Sequence, residues 1–167
     1  LKSSKNKEEI LPVTEMLKAF ATLWPDSGEA AEAGKAVLFL DAVQNGAKAV
    51  LTIVNADFSA TDSFLDTPDM KILLKQDGKT LLETKTVDNE TRPVFGEKHE
   101  FTWDLGSHFT FVGLETGGML GSDKEVFNVT VDAGGILGYK KLNGILKSNG
   151  NSITVKLETG IPESPWN

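Results

Sequence analysis

Four aspartates, Asp57, Asp62, Asp66 and Asp69, crowd one short polar segment, and four lysines, Lys71, Lys75, Lys79 and Lys85, follow it directly. On its own the first group reads as a solvated acidic loop, and the second as one face of a mixed-charge sheet. Other chemistry is thin. His99 and His108 lack metal-type spacing with further ligands. The chain has no cysteine, which removes disulfides, thiolate metal sites and thiol nucleophiles. Ser107 and His108 are neighbours in sequence, which says nothing of a triad. Glycines 117, 118, 134 and 135 are not followed by Gly-Lys-Ser/Thr, so they make no phosphate loop. No paired acid and base stands out among the carboxylates. The expectation is a non-enzymatic protein with no cofactor.

Whole-chain charge narrows the partners. The 167 residues carry a net charge of −7, which argues against nucleic acid, whose phosphates need clustered cations. It also opposes attraction of the whole molecule to anionic lipid, although a local basic face could still act. With 40% hydrophobic and 25% charged residues, the composition is that of an ordinary globular domain with a sizeable core. No apolar run is long enough to span a bilayer as a helix. Asn89-Glu90-Thr91 and Asn128-Val129-Thr130 are glycosylation sequons of a kind that often arises by chance. The first residue is Leu1, which suggests a processed fragment.

The elements that must position these groups are mostly strands. Residues 1–9 are polar and expected to fray. Val13, Met16, Leu17, Phe20, Leu23 and Trp24 then recur at helical spacing, with Pro12 in the first turn and Pro25 at the end. Residues 26–34 read as an acidic linker or a short second helix. Ala36 to Ala42 reads as a buried strand, turned at Asn45-Gly46 into a second strand, Ala47 to Ala56. From Met70 the alternation is clear: Met70, Ile72 and Leu74 share one face, while Lys71, Leu73 and Lys75 share the other. Asp77-Gly78 and Asn149-Gly150 are hairpin turns. His99, Phe101 and Trp103 share a face, as do Phe127, Val129 and Val131. Short strands with Gly and Asx turns predict an all-β sandwich or barrel. The division expected is a helix and linker over 1–34, a sandwich over 35–160 and a tail over 161–167.

This order of features resembles the C2 domain family, β-sandwiches best known for calcium-dependent lipid binding. Val50 to Ala56 resembles the opening strand of that family, and Thr67-Pro68-Asp69-Met70-Lys71-Ile72 stands where Asp-Pro-Tyr-Val-Lys-Val belongs. Thr84-Lys85 falls in its expected place. Arg92 to Phe101 matches the family's Asn-Pro-x-Trp-x-Glu-x-Phe-x-Phe segment, with Phe95 for Trp and His99 for the first Phe. Val131 and Gly144 are taken to bracket the third loop. The resemblance implies a C2-like antiparallel β-sandwich preceded by an amphipathic helix. It covers roughly residues 47 to 144, and the stretches around it depart from the usual lengths.

The resemblance also shows what is missing. Family members hold calcium with loop-one and loop-three aspartates, because a hard cation needs several oxygen ligands. The matching positions here hold Thr61, Thr67, Ala133 and Gly135, and calcium is therefore not expected. Were it bound, Asp57, Asp62, Asp66, Asp69 and Asp132 would have to serve. The primary expectation is a calcium-independent scaffold acting by protein–protein contact. Its candidate surfaces are Met16, Leu17 and Phe20 on the helix, Phe64 and Leu65 at a loop tip, Trp166 in the tail, and exposed sheet edges. The alternative is a membrane-targeting module, cytoplasmic or peripheral to the membrane. It would bind anionic phospholipid or phosphoinositide through Phe64, Leu65, Lys71, Lys75, Lys79 and Lys85. A third is a lipocalin-like small-ligand carrier, which requires a closed barrel around an apolar cavity.

Overall fold

The structure, a computed structural model, describes residues 2–61, 67–117, 122–134 and 137–162, with only the backbone for residues 2–7. Two helices come first, α1 (Lys2–Leu23) and α2 (Gly28–Asn45). Helix α1 starts earlier than expected, so residues 2–9 are helical and Pro12 lies inside the helix. Proline there removes one backbone donor, and its side chain faces water along with Glu8, whose carbonyl lies one turn earlier. The helix ends just ahead of Pro25, as its sequence predicts.

Helix α2 overturns the strand expected over Ala36 to Ala42. Ser27 caps it, with Oγ accepting the Ala30 N–H at 3.0 Å. Ala36, Phe39, Leu40 and Val43 are buried at helical intervals, while Leu38 within the same apolar run points to solvent. Asn45-Gly46 is therefore a helix end and not a hairpin turn. Gly46 has φ +81°, and a Cβ there would stand 3.1 Å from the Trp103 carbonyl oxygen. The inner side of α1 is Ile10 and Thr14, whose buried hydroxyl donates back to the Ile10 carbonyl at 3.1 Å. Lys18 and Asp41 meet between the two helices at 3.7 Å.

Eight strands follow among the described residues: β1 (Ala47–Asp57), β2 (Asp69–Gln76), β3 (Lys79–Glu83), β4 (Val94–Trp103), β5 (His108–Thr116), β6 (Lys124–Asp132), β7 (Gly144–Ser148) and β8 (Asn151–Thr159). They form two antiparallel four-stranded sheets, ordered β4-β1-β8-β7 and β3-β2-β5-β6. Alternation decides which side chains each sheet turns inward. Leu51 and Ile53 of β1, Phe101 and Trp103 of β4, and Ile153 and Val155 of β8 face Met70, Ile72 and Leu74 of β2 and Phe109 and Phe111 of β5 in one buried core. The core continues into Ile10, Phe39, Leu40 and Val43 of the helices. Trp103 closes one end, donating from Nε1 to the Ala133 carbonyl at 2.9 Å with its ring edge-on to Tyr139. Among the described residues the two sheets stay separate and do not close into the barrel that a lipocalin-like carrier requires.

Asp77-Gly78 and Asn149-Gly150 are the expected tight turns, and all four residues have positive φ. The pairing also sorts the loops. Asp57 pairs with Ser152 and Asp69 with Thr116, so the β1–β2 and β5–β6 connections share one end, called here the upper end. Ala47 pairs with Trp103 and His108 with Asp132 at the lower end.

Candidate functional site

At the upper end, the chain's own donors already engage the described aspartates. The Asp57 carboxylate accepts the Ser59 N–H at 3.0 Å and lies 3.2 Å from Arg92 Nε. The Ser59 hydrogen bonds, with Arg92 adding, hold this carboxyl below the usual carboxylate range. Asp69 accepts the Asn89 N–H at 2.9 Å, which ties the β3–β4 connection to the start of β2. Asn151 does the same for the first loop. Its Oδ1 accepts the Ala60 N–H, while Nδ2 donates to Thr61 Oγ1 and, at 3.0 Å, to the Val126 carbonyl.

Asp132 is not part of this end. It lies at the lower end, where its carboxylate accepts the Gly134 N–H at 3.0 Å and stands 3.6 Å from His108 Nε2. The expected third loop, Val131 to Gly144, is therefore misplaced, because the connection beside loop one runs from β5 to β6. Asp62, Phe64, Leu65, Asp66, Gly135 and Trp166 lie outside the described residues. Among the described residues no group of three or more histidine, aspartate or glutamate side chains could hold a metal ion. The described carboxylates thus do not fit a calcium cage.

The lysines divide. Lys71 Nζ lies 2.9 Å from Asp123 and 3.0 Å from Glu83, with its side chain only 18% exposed. Hydrogen bonds to these carboxylates, Asp123 foremost, raise its pKa. Its charge is used within the fold. Lys75, Lys79 and Lys85 have no carboxylate within ion-pair distance among the described residues, and the last two are exposed. Asp123, Arg92 and Asn151 were not singled out from the sequence. The alternation of Phe109 to Leu114, carried on to Thr116, would have pointed to Asp123 as the far side of the hairpin.

Helix α1 carries the largest apolar exposure. Met16 is 73% exposed, Leu23 67%, Trp24 56% and Val13 47%. Phe20 is half-buried and packs against Trp24 as a tilted ring pair with centroids 5.1 Å apart. Leu17 turns inward and packs against the core. Of the three helix residues expected to make contacts, Met16 faces out, Phe20 lies at the edge and Leu17 faces in. His99 is a half-buried rim residue beside Phe101, in line with a structural role. An open groove of about 470 Å³ runs over the outer face of β1, between Glu100 and Glu158. No helix among the described residues is long and apolar enough to cross a membrane.

The fold has clear relatives among solved structures. Human GIVD cytosolic phospholipase A2, in complex with methyl gamma-linolenyl fluorophosphonate, matches with a TM-score of 0.55 at 16% identity, over 68% of this chain. This chain covers 17% of that enzyme's length, and the match is to its C2 domain. The two consecutive C2 domains of extended-synaptotagmin 2 match with a TM-score of 0.55 at 10% identity, over 68% of this chain and 40% of theirs. The first C2 domain of plant extended synaptotagmin 1 matches with a TM-score of 0.52 at 12% identity, over 68% of this chain and 93% of that one. No family model matches the sequence. No curated protein matches it either. The chain has a C2-like fold: an all-β antiparallel sandwich preceded by a helical segment. At these identities the likeness is one of fold.

Proposed function

We propose that this chain is a non-catalytic C2-like module that acts without calcium, by protein–protein contact or assembly. The observation that carries the reading is the apolar stripe of Val13, Met16 and Leu23, left exposed on α1 and continued by Trp24 just past its end. Contiguous exposed apolar surface on a domain with a filled core marks a contact site. Calcium independence is supported by Asp57 and Asp69, whose oxygens already accept backbone N–H groups and, for Asp57, face Arg92. One solved extended-synaptotagmin 2 structure of this fold is described as calcium bound. A calcium site of that kind needs several converging oxygens, which the described carboxylates of this chain do not offer.

A second reading rests on Lys75, Lys79 and Lys85, whose ammonium groups are not matched by described carboxylates. They support a basic strip for an anionic phospholipid or phosphoinositide surface, which would make the protein peripheral to a membrane. Lys71 contributes little, because Asp123 and Glu83 hold it.

Co-sedimentation with anionic and phosphoinositide vesicles, in calcium and in chelator, separates the readings. The protein-contact reading expects the chain to stay in the supernatant under both conditions. Binding only with calcium would overturn calcium independence. Binding under both conditions that is abolished by Lys75→Gln and Lys79→Gln together would replace the protein-contact reading with the lipid one.

A further inference from the structure

We propose that the exposed stripe of α1 pairs with the same stripe of a second copy of this chain, bringing two helical hairpins together as a four-helix bundle with the sandwiches outside. This rests on the protein-contact reading and names the partner. The stripe has the repeat of a coiled-coil seam. Val13, Met16, Phe20 and Leu23 are spaced three, four and three apart, and Trp24 widens the far end. Such spacing keeps the residues in line along one side of a helix and fits another helix rather than a flat surface. Phe20 and Trp24 already pack against each other in a tilted ring pair, so the largest contact area is preorganised.

Charge favours a copy of the chain over other occupants. In a chain of net −7, self-association meets repulsion almost everywhere. The positions flanking the seam are Pro12, Leu17, Ala19 and Trp24, none of them charged. Glu15 and Lys18 turn away from it, Lys18 pairing with Glu15 at 3.2 Å and with Asp41 of α2 at 3.7 Å, and Glu9, one turn before Val13, is the charge in line with the seam at its near end. A lipid surface would call for lysine or arginine along the rims, which the seam lacks. From the exposed fractions, the seam offers roughly 500 Å² per copy, so two copies bury about 1,000 Å², the lower bound of a specific interface. A two-fold arrangement sets each seam against itself, which closes the assembly at two.

The test is the mass of the full chain by light scattering after size exclusion, over a wide range of concentration. The expected result is a species of twice 18.0 kDa that dissociates on dilution. Met16→Glu should weaken the dimer by at least about 30-fold in Kd, with an unchanged circular dichroism spectrum. Met16→Leu should retain the dimer, and so should Ile145→Glu, which alters an exposed apolar residue of β7. A monomer at every concentration overturns self-pairing while leaving protein contact with another partner standing. A dimer indifferent to Met16→Glu also overturns it. Uptake of a monomeric chain by neutral phosphatidylcholine vesicles, lost in Met16→Glu, would overturn it in favour of lipid.

Discussion

Lys71 Nζ lies 2.9 Å from the Asp123 carboxylate, joining the upper end of β2 to the loop before β6, and the same ammonium reaches Glu83 of β3 at 3.0 Å. The lysine stem is largely covered, whereas both carboxylates are part-exposed, so the pair gains less than its geometry suggests. Lys71→Met should cost about 0.5–1 kcal/mol in urea unfolding, and Lys71→Ala about 1–2 kcal/mol because the stem is lost as well. Lys35→Met, which removes a fully exposed pair with Glu32, should leave the stability essentially unchanged. The folded pKa of Lys71 is raised above 10.5, so its contribution is full below that pH and fades as pH rises through the raised value. Equal stabilities for Lys71→Met and Lys35→Met would remove Lys71 as the brace of this end.

Asn151, the first residue of β8, holds the first loop in place from the strand beside β1. It is buried and uses both ends of its amide, on the Ala60 N–H, Thr61 Oγ1 and the Val126 carbonyl. Asn151→Ala should cost about 1.5–3 kcal/mol, since three polar groups lose a partner. Asn151→Asp should cost more, about 2–4 kcal/mol, because a carboxylate would face the Val126 carbonyl where a donor stood. Hydrogen exchange at the Ala60 amide should accelerate in both variants. Unchanged protection there would mean that other contacts hold the loop.

Two glycines should respond to alanine with opposite signs. Gly113 of β5 faces the core, and a Cβ there would stand 2.8 Å from the Phe58 ring and 3.0 Å from the Phe127 Cβ. Gly113→Ala should destabilise by about 1–3 kcal/mol through overpacking. Gly34, inside α2, has no heavy atom within 4 Å of where its Cβ would go. Gly34→Ala should stabilise by about 0.5–1 kcal/mol, the usual gain in a helix interior. Thermal unfolding reads both, and a loss of stability in Gly34→Ala would contradict a helix over this segment.

That second substitution bears on the part of the fold hardest to see in the sequence. The strands from Met70 onward were legible because Met70, Ile72 and Leu74 alternate with Lys71 and Lys75, and because two Asx-Gly pairs sit between alternating runs. Ala36 to Ala42 was not, because a run of apolar residues this short shows no period of its own. Its helical spacing appears only when Ala30 and Ala33 are counted with it and Leu38 is set aside. Asn45-Gly46 misled for a related reason: hairpin turns and helix ends both want glycine at positive φ. The third loop went astray because glycine-rich connections occur at both ends of the sandwich, near Gly117 and near Gly134. Only the pairing of Thr116 with Asp69 says which one adjoins the acidic loop. The exposed stripe of α1 was visible as a period, but its accessibility depended on α2, which takes up Leu17 and leaves Met16 outside.

Asp57 gives the upper end its response to acid. The Ser59 hydrogen bonds and the nearby Arg92 lower its folded pKa below the unfolded value of 3.8. A carboxyl lowered in this way contributes its full stabilisation above 3.8, and loses it as pH falls through the folded pKa. Asp57→Asn keeps an acceptor for the Ser59 N–H but removes the charge facing Arg92. At neutral pH it should be less stable than the parent, by under about 1 kcal/mol because the carboxylate is part-exposed. The gap should narrow once the pH drops below 3.8 and close when Asp57 is protonated in the folded chain. Urea unfolding of both proteins at a series of acidic pH values measures the gap directly. A gap that stays constant into strong acid would show that Asp57 acts through packing and its amide contact alone, with no part played by the charge facing Arg92.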